Sequence, residues 1–146
     1  MAIVLSDVGA DSIMSTYFGA ETPPTGFVLK LFTDAADPSD ADVGYTEMSN
    51  GSGYTTGGIA LNLEGGSAPV ATISAVGGIV QAAWPEQTWN FTGTVGEIAQ
   101  GYWIENNSGT VIVAERFGVA DRISPVNGDS IAITPVIKLG NTGDSF

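Results

Sequence analysis

The densest group of side chains that could hold a metal is a set of four aspartates. Asp34, Asp37, Asp40 and Asp42 lie within nine residues, around Pro38. Calcium is held by about six to eight oxygens from carboxylates and carbonyls on a tight loop, so a calcium site is one interpretation. The spacing differs from the calcium-loop pattern, because no glycine stands at its centre and no glutamate closes it. We therefore favour a solvated acidic loop whose aspartates cap turns, and the sequence suggests no other cofactor.

A pair of glutamates is the arrangement that would point to catalysis. Four glutamates lie close to the three tryptophans in sequence: Glu86, Glu97, Glu105 and Glu115. Glycoside hydrolysis needs two facing carboxylates about 5–10 Å apart, and a sequence alone does not supply that geometry. The chain has no His and no Cys, which removes the commonest general base and the thiolate nucleophile. We therefore predict that the protein is not an enzyme.

The aromatic side chains of the same region admit two interpretations. They are Trp84, Trp89, Phe91, Tyr102 and Trp103. Exposed on neighbouring strands, such rings could stack on sugars and serve a glycan-binding module. Aromatic residues at alternating strand positions are more often core residues, and we favour the core.

Arg116 and Arg122 are two of the four bases in the chain, and acids stand beside them. Glu115 and Asp121 are their immediate neighbours in sequence. An ion pair between one of these acids and one of these arginines is the simplest interpretation. The alternative is an arginine–carboxylate contact between subunits, which suits the planar, bidentate guanidinium group.

The overall charge limits the classes of partner. The 146 residues contain 16 acids and four bases, for a net charge of −12. Nucleic-acid binding needs a basic stripe that displaces counterions, and an anionic membrane surface repels an acidic chain, so we predict neither partner. The acidity suits solubility at high concentration or docking onto a basic surface. The low charged fraction, 14%, is typical of protein contact surfaces.

Residues 1–22 are predicted to form an N-terminal helix or arm. Ser6 or Asp7 can cap a helix and Gly19 suits its C-terminal end, although Gly9 weakens it. The favoured interpretation is a helix that closes one end of its own domain, and the alternative is an arm that contacts a neighbouring subunit. The apolar residues expected to make such contacts, with those from Val8 onward on roughly one helix face, are Ile3, Val4, Leu5, Val8, Ile13, Met14, Tyr17 and Phe18.

The remainder of the chain has the pattern of short strands separated by turns. Alternating apolar residues mark about eight strands, as in sandwiches and barrels, and Leu29 and Leu31 are expected on one strand face. No helical period alternates with the strands, which argues against a parallel arrangement. We predict an all-β fold, an antiparallel β-sandwich or jelly-roll-like barrel over 23–140, followed by a short mobile tail, 141–146.

Five stretches of the chain carry a resemblance to known proteins. They are LKLFT at 29–33, TWNFT at 88–92, AQGYWI at 99–104, VIVAERF at 111–117 and PVNGDSIAITP at 125–135. Their order and motifs resemble a family of small virion structural proteins of tailed bacteriophages, the head decoration or cement proteins. The glycine-rich stretch 58–78 departs from the usual centre of that family.

The resemblance implies a protein on the capsid surface of a virion, made in the host cytoplasm. It implies binding to the major capsid protein and self-association, with a homotrimer as the expected state because such proteins sit on symmetry axes. Binding to assembled capsid and not to free subunits would stabilise the head by mass action. A glycan-binding module of a tail or fibre is the alternative function.

Overall fold

The computed structural model describes residues 3–19, 22–63, 66–77 and 79–140, and the predicted tail, 141–146, lies outside them. The elements in chain order are β1 (Val4–Leu5), α1 (Asp7–Phe18), β2 (Gly26–Phe32), β3 (Ile59–Asn62), β4 (Thr72–Val76), β5 (Ile79–Ala83), β6 (Gln87–Asn90), β7 (Gly101–Asn106), β8 (Val111–Arg116), a 3-10 turn (Val119–Asp121), β9 (Ser130–Ile133) and β10 (Val136–Gly140). The prediction of a mostly β, antiparallel fold with one short N-terminal helix is confirmed. No helix in the described part of the chain is long and apolar enough to cross a membrane.

Five strands form the first layer, in the order β1-β8-β7-β2-β3, and neighbouring strands are antiparallel. Where the ladder between β2 and β3 ends, the loop that joins these strands continues the pairing along β2. The Met48 N–H donates to the Leu31 carbonyl over 3.0 Å. This pairing brings Glu47 next to Lys30, within 3.4 Å, on the outer face of the layer.

The second layer contains one long, bent ladder. β5 pairs with β10, β6 pairs with β9, and the Trp84 N–H donates to the Pro135 carbonyl over 3.0 Å between them. Three residues, 84–86, stand opposite two, 134–135, and an unequal count bends a strand pair as a bulge does. Apolar alternation over 131–139 predicts one strand, and the structure divides it at Pro135 because proline has no N–H to donate. β4 pairs with the other edge of β5.

Both layers contribute to one main core, which is the sandwich-like feature of the fold. Its buried members include Leu29, Leu31, Tyr102 and Ile104 from the first layer, and Trp84, Trp89, Ile131, Ile133 and Ile137 from the second. Leu29 and Leu31 therefore share a buried face, as the sequence predicts. Interdigitation of apolar side chains from two facing layers is the usual source of stability in such folds.

A smaller cluster covers the outer face of the first layer. Its buried members are Phe32, Trp103, Val111 and Ala114. Tyr45, from the loop between β2 and β3, stacks on the Phe32 ring with centroids 4.9 Å apart. Because both faces of the layer are covered here, β8 has an almost continuous apolar sequence instead of an alternating one.

Helix α1 docks on an irregularity in β8. A register shift in the β7–β8 ladder leaves Ile112 as an extra residue, which is a β-bulge. The Ser6 N–H donates to the Ile112 carbonyl over 3.0 Å, and the Ser6 hydroxyl donates to the Val111 carbonyl. The same hydroxyl accepts from the Gly9 N–H and so caps the helix. One buried serine thus joins the helix N-terminus to the sheet.

The N-terminal segment is therefore part of the folded domain. β1 is an edge strand of the first layer, with Val4 opposite Ala114. Leu5 and Ile13 pack against the main core. These contacts are those expected of a helix that closes one end of its own domain.

Candidate interaction surface

The exposed face of α1 carries acids at one end and large apolar side chains at the other. Asp7, Asp11, Met14 and Phe18 are exposed at intervals of about one helical turn. Met14 is 57% exposed and Phe18 is 82% exposed. The Asp7 carboxylate lies in the first turn of the helix, where the backbone dipole favours negative charge. We call these four residues the outer stripe.

The prediction that the apolar residues of the helix share one face is wrong. Val8 and Ile13 are half-buried and Ile13 packs against the core, whereas Met14 and Phe18 lie on the outer stripe. The side chain of Tyr17 lies outside what the structure describes. Of the other residues expected to contact a neighbour, Val4 and Leu5 form β1 and are half-buried, and Ile3 is 36% exposed.

One face of the β4-β5-β10 sheet is apolar and only partly covered. Cross-strand pairing aligns Ile73, Ala82 and Ile137 in one row and Ala75, Val80 and Leu139 in the next. Side chains two apart on a strand share a face, so these six residues form one surface, which we call the sheet face. Ile137 is buried, but Ile73 is 52%, Val80 47% and Leu139 40% exposed. The face therefore runs from the core out to solvent.

A groove separates the sheet face from α1. Its volume is about 340 Å³, and its walls include Ile13 of the helix, Pro24, Leu63, Ile73 and Leu139. All of these side chains are apolar, so these walls offer contact area for an apolar partner and no polar or titratable group. The outer stripe, the groove and the sheet face each expose large apolar side chains, and exposed apolar patches on globular domains mark interaction sites.

Three of the four predicted calcium ligands contact separate partners. Asp34 accepts from the Thr46 N–H and hydroxyl, Asp37 accepts from Arg116, and Asp42 accepts from the Ser39 N–H. The Ser39 backbone N–H holds the pKa of Asp42 below its usual range. Among the described residues, no group of three or more His, Cys, Asp or Glu side chains is placed to hold a metal ion. Asp34 and Asp42 instead fix turns at the acidic loop, as the favoured interpretation expects.

Arg116 forms an ion pair, but its partner is an acid outside the predicted set. Arg116 Nη1 lies 2.7 Å from Asp37 Oδ1, and the described residues contain no ion pair among Glu115, Arg116, Asp121 and Arg122. Asp37 became the partner because the acidic loop folds over the end of β8, at a sequence separation of 79 residues. The Arg116 guanidinium holds the pKa of Asp37 below its usual range.

The candidate glutamates also lie in separate environments. Glu97 accepts from the Ser49 N–H and hydroxyl, both at 2.7 Å, and the Ser49 backbone N–H in particular holds the pKa of Glu97 below its usual range. Glu115 accepts from the Tyr102 hydroxyl, Glu105 pairs with Lys30, and Glu86 is exposed. Each is engaged with its own partner or with solvent.

Tyrosine hydroxyls donate to three of the acids. Tyr54 donates to Glu47 over 2.9 Å and Tyr45 to Asp42 over 3.0 Å, in the same way that Tyr102 donates to Glu115. Burial raises the pKa of all three hydroxyls, and the neighbouring carboxylates raise it further. Part of the acidity of the chain is therefore used internally, to satisfy donors that would otherwise be buried without a partner.

The candidate sugar-stacking rings are in the interior. Trp84, Trp89, Phe91, Tyr102 and Trp103 are each 5% exposed or less. Rings in these positions have no face available for a sugar, so the core interpretation holds for all five. The glycan-binding alternative loses the side chains on which it depended.

Sequence reasoning missed a charged cluster on the outer face of the first layer. Lys30 Nζ lies 2.7 Å from Glu105 Oε1 and 3.4 Å from Glu47 Oε2, and the three side chains are only 15–17% exposed. The ammonium also lies 5.5 Å from the Trp103 ring centroid, within range of a cation–π contact. Burial alone lowers the pKa of Lys30, but the carboxylates of Glu105 and Glu47 outweigh it and raise the pKa overall. A lysine at an outward strand position is the only sequence signal for this cluster.

Comparison with models of known protein families finds no match to the chain, and comparison with curated proteins finds none either.

Proposed function

We propose that the chain is a virion structural protein of a tailed bacteriophage that decorates the assembled head. The proposal is supported by the resemblance of its strand motifs to head decoration proteins. The structural observation that carries it is the exposure of large apolar side chains on the outer stripe and on the sheet face, since exposed apolar patches serve protein contacts. The partners are then the major capsid protein and further copies of the chain, and the location is the capsid surface.

The outer stripe suits the capsid better than a second copy. The chain has a net charge of −12, and like charges across an interface cost free energy. Asp7 and Asp11 therefore disfavour self-contact and favour a basic patch. Met14 and Phe18 suit an apolar pocket beside that patch, because a few large apolar side chains supply most of the free energy of binding in many interfaces.

The sheet face suits self-association. Its six aligned residues are Ile73, Ala75, Val80, Ala82, Ile137 and Leu139, and none of them is charged. Copies can therefore bring this face together without burying an unpaired carboxylate, which would be costly. Three copies around a threefold axis would place three such faces inward, so a homotrimer is the state that we propose.

Stabilisation of the head follows from mass action. A ligand that binds the assembled shell and not its free subunits stabilises the shell by RT ln(1 + [L]/Kd) at each site, about 2.7 kcal/mol when its concentration is one hundred times Kd. No covalent step and no bound nucleotide is required. High solubility, which the acidity supports, keeps the free protein available at such concentrations.

Loss of the apolar half of the outer stripe is expected to abolish most head binding. The variant Met14→Ser/Phe18→Ser removes two exposed side chains and should weaken binding to isolated heads about thirtyfold or more, since each contact residue of this kind contributes roughly 1–2 kcal/mol and about 1.4 kcal/mol corresponds to a factor of ten. The measurement is co-sedimentation of purified protein with heads stripped of their decoration layer, alongside free capsid subunits.

The matched control is Val43→Ser, which changes another exposed apolar residue, 73% exposed, in the acidic loop. It should bind heads like the original chain, and both variants should unfold at the same denaturant concentration as the original. Equal binding of the original chain to heads and to free subunits, or no binding to either, would overturn the proposed function.

A further inference from the structure

We propose that a pocket between β1, the end of β8 and the acidic loop binds an organic carboxylate with a small apolar body. The pocket has a volume of about 420 Å³ and is lined by Arg116 and Arg122. These are two of only four bases in a chain with 16 acids. Among the described residues that line it, Asp37 is the one acid, and the apolar wall consists of Val4, Pro38, Phe117 and Val119.

The Arg122 side chain is fixed through Nε, while its two terminal amino groups remain available to a ligand. Its Nε donates to the Phe117 carbonyl over 2.9 Å, which fixes the plane of the guanidinium against the backbone. The two terminal amino groups of Arg122 have no hydrogen-bond partner among the described residues. A fixed guanidinium with free terminal N–H groups matches the two oxygens of a carboxylate.

Arg116 supplies a second cation to the pocket, and it already pairs with a carboxylate of the same chain. Its Nη1 lies 2.7 Å from Asp37 Oδ1, and the Arg116 side chain is 17% exposed whereas that of Asp37 is 83% exposed. Arg116 Nε is buried and has no partner among the described residues, so the capacity of this guanidinium is only partly used. The exposed carboxylate of Asp37 stands at the mouth of the pocket and competes with an incoming anion.

The apolar wall of the pocket favours an anion with an apolar body over a fully polar anion. Val119 is 79% exposed, and this exposed surface lies beside the two guanidinium groups in the same pocket. A ligand that combines a carboxylate with an apolar body covers the wall and pairs with Arg122 at once. Inorganic phosphate pairs with the guanidinium but leaves the wall in water, so it should bind more weakly.

The site does not depend on the proposed function. It lies on β1, β8 and the acidic loop, whereas the surface proposed for head binding lies on α1 and the β4-β5-β10 sheet. Failure of either proposal therefore leaves the other intact.

The test uses N-acetyl-phenylalanine as the probe and N-acetyl-phenylalaninamide as its uncharged partner. Titration of the full chain, followed by heteronuclear NMR, should show saturable shifts at Arg122 and Phe117 with the carboxylate and none with the amide. Arg122→Gln should weaken binding about tenfold, since it removes a charge-assisted contact. Asp37→Asn should strengthen binding about fivefold, because it removes a competing charge at the pocket mouth.

The control variant is Lys138→Gln, which makes the same charge change on an exposed residue of β10 and should alter binding less than twofold. Equal shifts with the amide, weaker binding by Asp37→Asn, or an equal loss in Lys138→Gln would each contradict the proposal. Tighter binding of inorganic phosphate than of the carboxylate would contradict the ligand class. The titration of the original chain decides the matter even if a variant fails to fold.

Discussion

Replacement of Gly9 with alanine is expected to destabilise the protein by about 1–3 kcal/mol. An ideal Cβ at this position would lie 2.7 Å from Ile112 Cα and from the Ile112 carbonyl oxygen, and 2.8 Å from the Val111 carbonyl oxygen. These are backbone atoms of β8 and cannot rotate away. The helix must then move outward, which breaks the contacts of Ser6 with the same two carbonyls.

The sign of the stability change in Gly9→Ala distinguishes a steric effect of helix docking from an effect of helix propensity. In an exposed helix, glycine to alanine is favourable by about 1 kcal/mol, so propensity alone predicts a more stable variant. Urea unfolding of Gly9→Ala beside Gly44→Ala measures the difference. Gly44 is exposed, and an added Cβ meets no atom within 4 Å, so its variant should lie within about 0.5 kcal/mol of the original. A Gly9 variant as stable as the Gly44 variant would show that α1 does not dock on the bulge.

Replacement of Lys30 with methionine should cost about 2–4 kcal/mol at neutral pH. Methionine keeps the apolar length of the side chain but removes the cation between Glu47 and Glu105, which lie 3.4 Å and 2.7 Å from it. Two partly buried carboxylates are then left side by side without a counter-charge. Removal of one partner from a buried pair is strongly destabilising, and the 15–17% exposure of these side chains reduces the cost somewhat.

Lys138→Met is the control for this prediction. It removes the same charge from the exposed face of β10, and we expect a change below about 0.5 kcal/mol. The double variant Lys30→Met/Glu105→Gln should recover part of the loss, because it removes one of the two repelling charges. Denaturant unfolding compares all three. Equal stability of Lys30→Met and Lys138→Met would mean that the cluster does not contribute to the fold.

Local patterns in the sequence are enough to predict most of the strands and the ends of the helix. Leu29 and Leu31 alternate with outward residues along β2, and Ser6 caps α1 as its type and position indicate. These features depend on residues within a few positions of one another. The two residues of β1 are too few to show a period, so the sequence does not predict this strand.

Features that depend on distant parts of the chain were not predictable in the same way. Gly9 looked like a weakness in a helix, and its role became visible only against the bulge in β8. Proximity in sequence predicts Glu115 or Asp121 as the partner of Arg116, whereas the partner in the structure, Asp37, is 79 residues away. The apolar face of α1 was misassigned for a simpler reason. Val8 and Ile13 are five residues apart. At about 100° per residue, their side chains point about 140° apart around the helix, so they do not share a face.

The most direct test of the proposed function is electron cryo-microscopy, at subnanometre resolution, of intact particles of the phage that is proposed to encode the chain. We expect density for this fold on the outer surface of the head, as three copies around a threefold axis. In each copy the sheet face should point toward the axis and the outer stripe, with Met14 and Phe18, toward the capsid. Density confined to the tail or fibres, or no density for this fold in the particle, would contradict the account.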